Sequence, residues 1–137
     1  MRNTGKKSED IFKEKIEAHY KKKAFLFRIP DTHDASRGGK VRVTLSNTPA
    51  DYILTWPEGT GYAEVKSTSG KTSFPFSSFT TGQNKAMVRQ KAAGGNYWVF
   101  IHRLETDEWF RLSGEDVLNS SKKSITWKEL ETHKWAL

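Results

Sequence analysis

A chain of 137 residues with 35% apolar side chains, among them 5 Trp, 4 Tyr and 8 Phe, can bury one core but not two, which predicts a single domain and excludes general disorder. The formal charge of +7 points to a polyanionic partner, nucleic acid before an anionic membrane surface, because cationic side chains displace counterions from phosphates. The absence of cysteine excludes disulfides, thiolate zinc sites and cysteine nucleophiles together, and no apolar run approaches the roughly 20 residues of a membrane span, so a soluble, cytoplasmic protein is expected.

Residues 1–7 are polar and basic without periodicity, which predicts a flexible basic arm ahead of a domain spanning residues 8–137. Ser8 is a candidate N-cap, and Phe12, Ile16 and Tyr20 recur at four-residue spacing, predicting an amphipathic helix to about Lys22. The apolar run from Ala24 to Ile29 reads as a strand ended by Pro30. Asp31 to Lys40 reads as a loop or extended arm, with Val41 to Leu45 as a further candidate strand.

Asp51 to Trp56 and Tyr62 to Thr68 are strand-like runs joined by Pro57-Glu58-Gly59-Thr60-Gly61, which predicts a hairpin. With Pro57 to Thr60 as the loop, Trp56 pairs with Gly61, Asp51 lies opposite Lys66 and Ile53 lies opposite Glu64. Tyr52, Leu54, Trp56, Ala63 and Val65 then form one apolar face. Lys71 to Ser78 reads as a basic, aromatic loop. Thr80 or Thr81 caps a helix from about Gly82 to Ala93, stopped by Gly94-Gly95. Tyr97 to Arg103 and Glu108 to Leu112 form a second hairpin around Glu105-Thr106-Asp107. Thr126 with Glu129 is a capping box that predicts a short terminal helix from Trp127. Together these elements predict an α/β fold, a central mixed sheet of about five strands flanked by helices, with the site at one edge.

Glu64 and Lys66 are two apart on a strand and project from one face, and Asp51 reaches that face from the neighbouring strand. Two carboxylates and an ammonium so placed suit a hard dication, Mg²⁺ or Mn²⁺, and phosphodiester hydrolysis. Read from the spacing alone, they are equally well solvated charges on an exposed strand face.

Pro49-Ala50-Asp51, a gap of 12 residues, then Glu64-Val65-Lys66 resembles the PD-(D/E)XK signature of restriction-endonuclease-like nucleases. The run from Glu64 through Lys71-Thr72-Ser73-Phe74-Pro75 is similar to RecU-type Holliday junction resolvases, with an archaeal-like or phage-encoded variant in view. The resemblance implies a Mg²⁺-dependent homodimeric resolvase of branched DNA. It further implies Glu9, Asp51, Glu64 and Val65 at the metal, with Asp10 and Glu17 competing for the role of Glu9. Lys66 and Gln83 complete the catalytic set. Arg28, Arg37, Lys40, Arg42, Lys71, Thr72 and Phe74 are implied at the DNA, although Phe74 and Phe76 are also natural core residues. The sequence departs from the family at Ala50, where bacterial members commonly carry Thr, and in a reduced stretch from Asp31 to Asn47. Nicking, restriction or repair nucleases, a non-catalytic DNA-binding module and an RNA-binding protein stay open as alternatives.

Overall fold

The hairpin that carries the acidic residues is tighter than its loop composition suggests. In the computed structural model, which describes residues 4–30 and 48–137, Trp56 pairs with Gly59 and only Pro57 and Glu58 form the turn. Gly59 sits at φ +123°, a conformation that suits glycine, so it joins the strand instead of the loop. The strands β2 (Tyr52–Trp56) and β3 (Gly59–Thr68) are therefore displaced by two residues from the expected register: Tyr52 faces Ala63 and Ile53 faces Tyr62. A displacement of two leaves every side chain on its expected face. Tyr52, Leu54, Trp56, Ala63 and Val65 all point into one core.

The remaining strands are β1 (Phe25–Arg28), β4 (Ser73–Pro75), β5 (Asn96–Arg103), β6 (Glu108–Ser113) and β7 (Ser124–Thr126). The main sheet has the order β1-β2-β3-β5-β6 and is mixed, with β3 and β5 parallel and the other neighbours antiparallel. At Gly61 the two parallel strands approach so closely that an added Cβ would lie 2.4 Å from the Asn96 carbonyl oxygen. A parallel pair requires a crossover. Here it contains β4 and the helix α2 (Thr81–Ala93), which ends at Gly94 with φ +77°.

Helix α1 (Thr4–Tyr20) covers one face of the sheet through Phe12 and Ile16, against Tyr52, Leu54, Trp56, Phe100 and Trp109. It begins four residues before Ser8, so residues 4–7 are helical where an arm was expected, and Ser8 is a buried interior residue instead of a cap. On the other face α2 and the short helices α3 (Gly114–Asn119) and α4 (Trp127–Leu130) accompany a core around Phe74, Met87, Val99, Ile101 and Phe110. Helix α4 starts at its expected capping box. Helix α3 was not expected, although Ser113 and Asp116 form another such box.

The stretch Lys71 to Ser78 is not wholly a loop: β4 pairs with β7 in a two-stranded sheet, Phe74 opposite Ile125. The candidate strand at Val41 to Leu45 lies outside the described residues, as does the arm at Asp31 to Lys40. No described helix is long and apolar enough to cross a membrane.

Candidate active site

Asp51 immediately precedes β2, and the hairpin register sets it across from Glu64 instead of Lys66. The two residues clasp each other through the backbone: the Asp51 N–H donates to Glu64 Oε1 at 3.0 Å, and the Val65 N–H donates to Asp51 Oδ2 at 2.8 Å. Tyr97 secures the approach to Asp51 by donating its hydroxyl to the Pro49 carbonyl at 2.7 Å. The site is not on an edge strand. Glu64 and Lys66 belong to β3, the middle strand of five, near the end of the sheet where β1 and β2 have stopped.

Glu64 is 2% exposed and is held by three donors. Besides the Asp51 amide, Gln83 Nε2 donates to its Oε2 at 2.9 Å and Lys66 Nζ lies 3.4 Å from the same oxygen. Gln83 is the third residue of α2 and forms a capping box with Thr80: its Oε1 accepts the Thr80 N–H at 3.0 Å, and its own N–H donates to Thr80 Oγ1 at 3.2 Å. With the amide oxygen committed to the cap, the amide nitrogen faces Glu64. The Lys66 ammonium is fixed from the other side by the Ser78 carbonyl at 2.7 Å and lies 5.4 Å from the centre of the Phe79 ring.

Burial drives the Glu64 carboxyl well above the usual carboxylate range, and the Asp51 charge pushes it further. Asp51 is also raised by burial, against the opposing effects of the Val65 amide and of Lys66. Glu9, on α1, is pushed up to about 7, first by burial and then by Asp51, while the nearby Arg28 charge acts to lower it. Glu9 is thus the helix carboxylate that senses the site. Asp10 points outward into an ion pair with Lys6 at 3.3 Å, and Glu17 is exposed.

Among the described residues no three His, Asp or Glu side chains are grouped tightly enough to hold a metal ion as they stand. The carboxylates turn to amide and ammonium donors instead. The donor set nonetheless fits a hard dication: the ligand atoms are oxygens, and Glu64 is destabilised by both other acids. The Val65 side chain is buried beneath α1, so only its backbone can face such an ion.

Of the residues expected at DNA, Arg28 ends β1 close enough to act on Glu9 and Asp51, and Lys71 and Thr72 are exposed. Phe74 is not available to DNA: it is 1% exposed, with its ring against Phe76 and Phe79 in the core. Arg37, Lys40 and Arg42 lie outside the described residues. An open groove of about 370 Å³ beside the site, lined in part by Pro49, Tyr62, Gly82, Lys85 and Arg89, presents two cations that the sequence did not single out. Ser78 and Tyr97 were missed as well. The role of Thr80 was legible, because Thr80-x-x-Gln83 is a capping-box pattern.

No family model matches the chain, and no curated protein does. Among solved structures it is similar to Hjc of Archaeoglobus fulgidus, a Holliday junction resolvase from an archaeal hyperthermophile, with a TM-score of 0.56 at 14% identity over 93% of each chain. The mixed five-stranded sheet flanked by helices is therefore the α/β fold of that nuclease.

Proposed function

We propose that this chain is a divalent-metal-dependent endodeoxyribonuclease that resolves four-way DNA junctions by paired, symmetric nicks. The observation that carries the reading is the meeting of Asp51 and Gln83 with Glu64 and Lys66 of the central strand, in a sheet of the fold seen in a Holliday junction resolvase. Mg²⁺, with Mn²⁺ as a substitute, is assigned to Asp51, Glu64, Glu9 and the Val65 backbone. When bound, the ion supplies positive charge at the scissile phosphate and a more acidic water. Lys66, held between Glu64 and Ser78, offers its ammonium to the attacking oxygen or to the charge that develops on the phosphate. Gln83 keeps the Glu64 carboxylate aimed. Arg28, Lys71, Thr72, Lys85 and Arg89 are assigned to the phosphate backbone, where contacts position the substrate without reading its sequence.

Symmetric cuts in a four-way junction need two sites related by a two-fold axis, so the reading includes a homodimer. It also places the protein with DNA in recombination and repair, in the cytoplasm of a bacterium or archaeon or of a phage host. The test is incubation with a labelled synthetic junction and with linear duplex of the same sequence, in Mg²⁺ and in EDTA. Paired Mg²⁺-dependent nicks confined to the junction, lost in Asp51→Ala and Glu64→Ala while junction binding persists, support the proposal. Cutting of linear duplex refutes the junction specificity, and binding without cutting refutes the enzyme.

A further inference from the structure

Helix α1 carries a serine at the start of its buried stripe. Ser8 is 1% exposed, although the next residues of the stripe, Phe12 and Ile16, are apolar. A buried hydroxyl is costly unless hydrogen-bonded, and serine is a weak helix former. Its partner is His102 on β5: Ser8 Oγ lies 2.8 Å from Nδ1, while His102 Nε2 lies 2.6 Å from Oδ1 of Asp107 in the β5–β6 turn. A carboxylate only accepts, so Nε2 carries a proton, and in the neutral ring Nδ1 accepts the Ser8 hydroxyl. The imidazole is stacked on Trp109, with centroids 4.4 Å apart and planes at 7°. A hydrogen-bond chain thus runs from Asp107, whose side chain is 80% exposed, through a buried ring to the residue preceding Glu9.

These residue types also make nucleophilic triads, but Ser8 lies at the floor of the pocket it shares with Thr4, Ile11 and His102 and is almost wholly covered there, which suits an anchoring hydroxyl better than a nucleophile. Apolar contacts alone are non-directional and leave a helix free to rotate slightly, whereas a buried hydrogen bond fixes its rotation. Glu9 projects about 100° around the helix from Ser8, on the side where Asp51 and Arg28 act on it. We propose that Asp107, His102 and Ser8 form a pin that sets the rotation of α1 and so aims the Glu9 carboxylate at the metal site. The inference rests on the metal-site reading above; the three are positioning residues, touching neither metal nor substrate.

The test is Mn²⁺ affinity by titration calorimetry on the full chain, with thermal melting in EDTA. Asp107 lies at φ +56°, which glycine adopts freely, so Asp107→Gly removes the carboxylate without straining the turn, and Asp107→Asn restores an acceptor of the same shape. Asp107→Gly and Ser8→Ala should each weaken Mn²⁺ binding by about tenfold, the low end of the loss when an outer partner of a metal site is removed, and Asp107→Asn should recover most of it. Ile16→Val, on the same buried stripe, should lower the melting temperature without weakening Mn²⁺. Unchanged affinity in Asp107→Gly and Ser8→Ala, or an equal loss in Ile16→Val, overturns the pin alone, provided Glu64→Ala abolishes binding. Mn²⁺ binding that survives Glu64→Ala overturns the metal-site reading and the pin with it.

Discussion

Replacing Asp51 by Asn should stabilise the metal-free protein while removing its response to metal. Asp51 is the largest charge contribution raising both Glu9 and Glu64, and it faces Glu64 across the hairpin. Two like charges about 5 Å apart at an effective dielectric near 20 repel by roughly 3 kcal/mol. Against this, Asn keeps an oxygen for the Val65 amide, now 2.8 Å from Asp51 Oδ2, but a neutral acceptor is weaker by about 1 kcal/mol, and attraction to Lys66 is lost. With the loss toward Lys66 set at about 1 kcal/mol, because that ammonium is already paired with Glu64, the balance is a gain of about 1 kcal/mol at pH 8, or roughly 3–4 °C in melting temperature for a domain of this size. Melting curves in EDTA and in Mn²⁺ measure both halves. Wild type should rise by about 2.7 kcal/mol at a hundredfold excess of Mn²⁺ over its dissociation constant, and Asp51→Asn should hardly respond. A lower melting temperature in EDTA would mean that the Asp51 charge does not crowd the site, and a full Mn²⁺ response would mean that Asp51 does not hold the ion.

Glu9 binds a proton with a pKa of about 7 in the folded chain against 4.5 when unperturbed, so between those values the folded state holds more protons than the unfolded one. Stability in EDTA should therefore fall as pH rises from about 5 to 8. The share from Glu9 is below that of a fully buried acid because Glu9 is partly solvated, and Glu9→Gln should reduce the slope in pH-dependent denaturant melts while the part due to Glu64 and Asp51 stays. Lys66→Met should reduce junction cutting by at least about 100-fold with little loss of binding, measured by single-turnover cleavage and gel shift; wild-type cutting would remove Lys66 from the chemistry. Phe12→Ala empties a fully buried site contacting Tyr52, Phe100, Trp109 and Trp135, and should cost about 3–5 kcal/mol in urea unfolding. A cost below about 1 kcal/mol would mean that α1 is not docked as described.

The faces of the β2–β3 hairpin were legible because side-chain direction alternates with period two, a property that survives a displacement of two residues. The register itself was not. It turns on whether Gly59 joins the strand, a backbone choice that a run of proline and glycines leaves open. Glu9 stood beside Asp10 in the sequence with nothing but family likeness in its favour, yet the stripe of Phe12 and Ile16 already turns Glu9 inward and leaves Asp10 and Glu17 outside. The grips of Ser78 on Lys66 and of Tyr97 on Pro49 end on backbone carbonyls, which every residue has and no motif records. The β4–β7 sheet joins strands of three residues from distant parts of the chain, too short to show a period. The resemblance implies Phe74 at the DNA, whereas its place in β4 leaves it in the core, the alternative that its side chain already offered.

Position 83 has to satisfy two demands with one side chain. The start of α2 asks for an acceptor three residues after Thr80, which Glu supplies as well as Gln. Glu64 asks for a donor, which Glu cannot supply and would replace with another negative charge. Gln joins a donor and an acceptor on a tether long enough for both. A substitution there that leaves the helix intact can still disarm the acid, so foldability alone would not protect the residue in a drifting sequence, whereas selection on chemistry would.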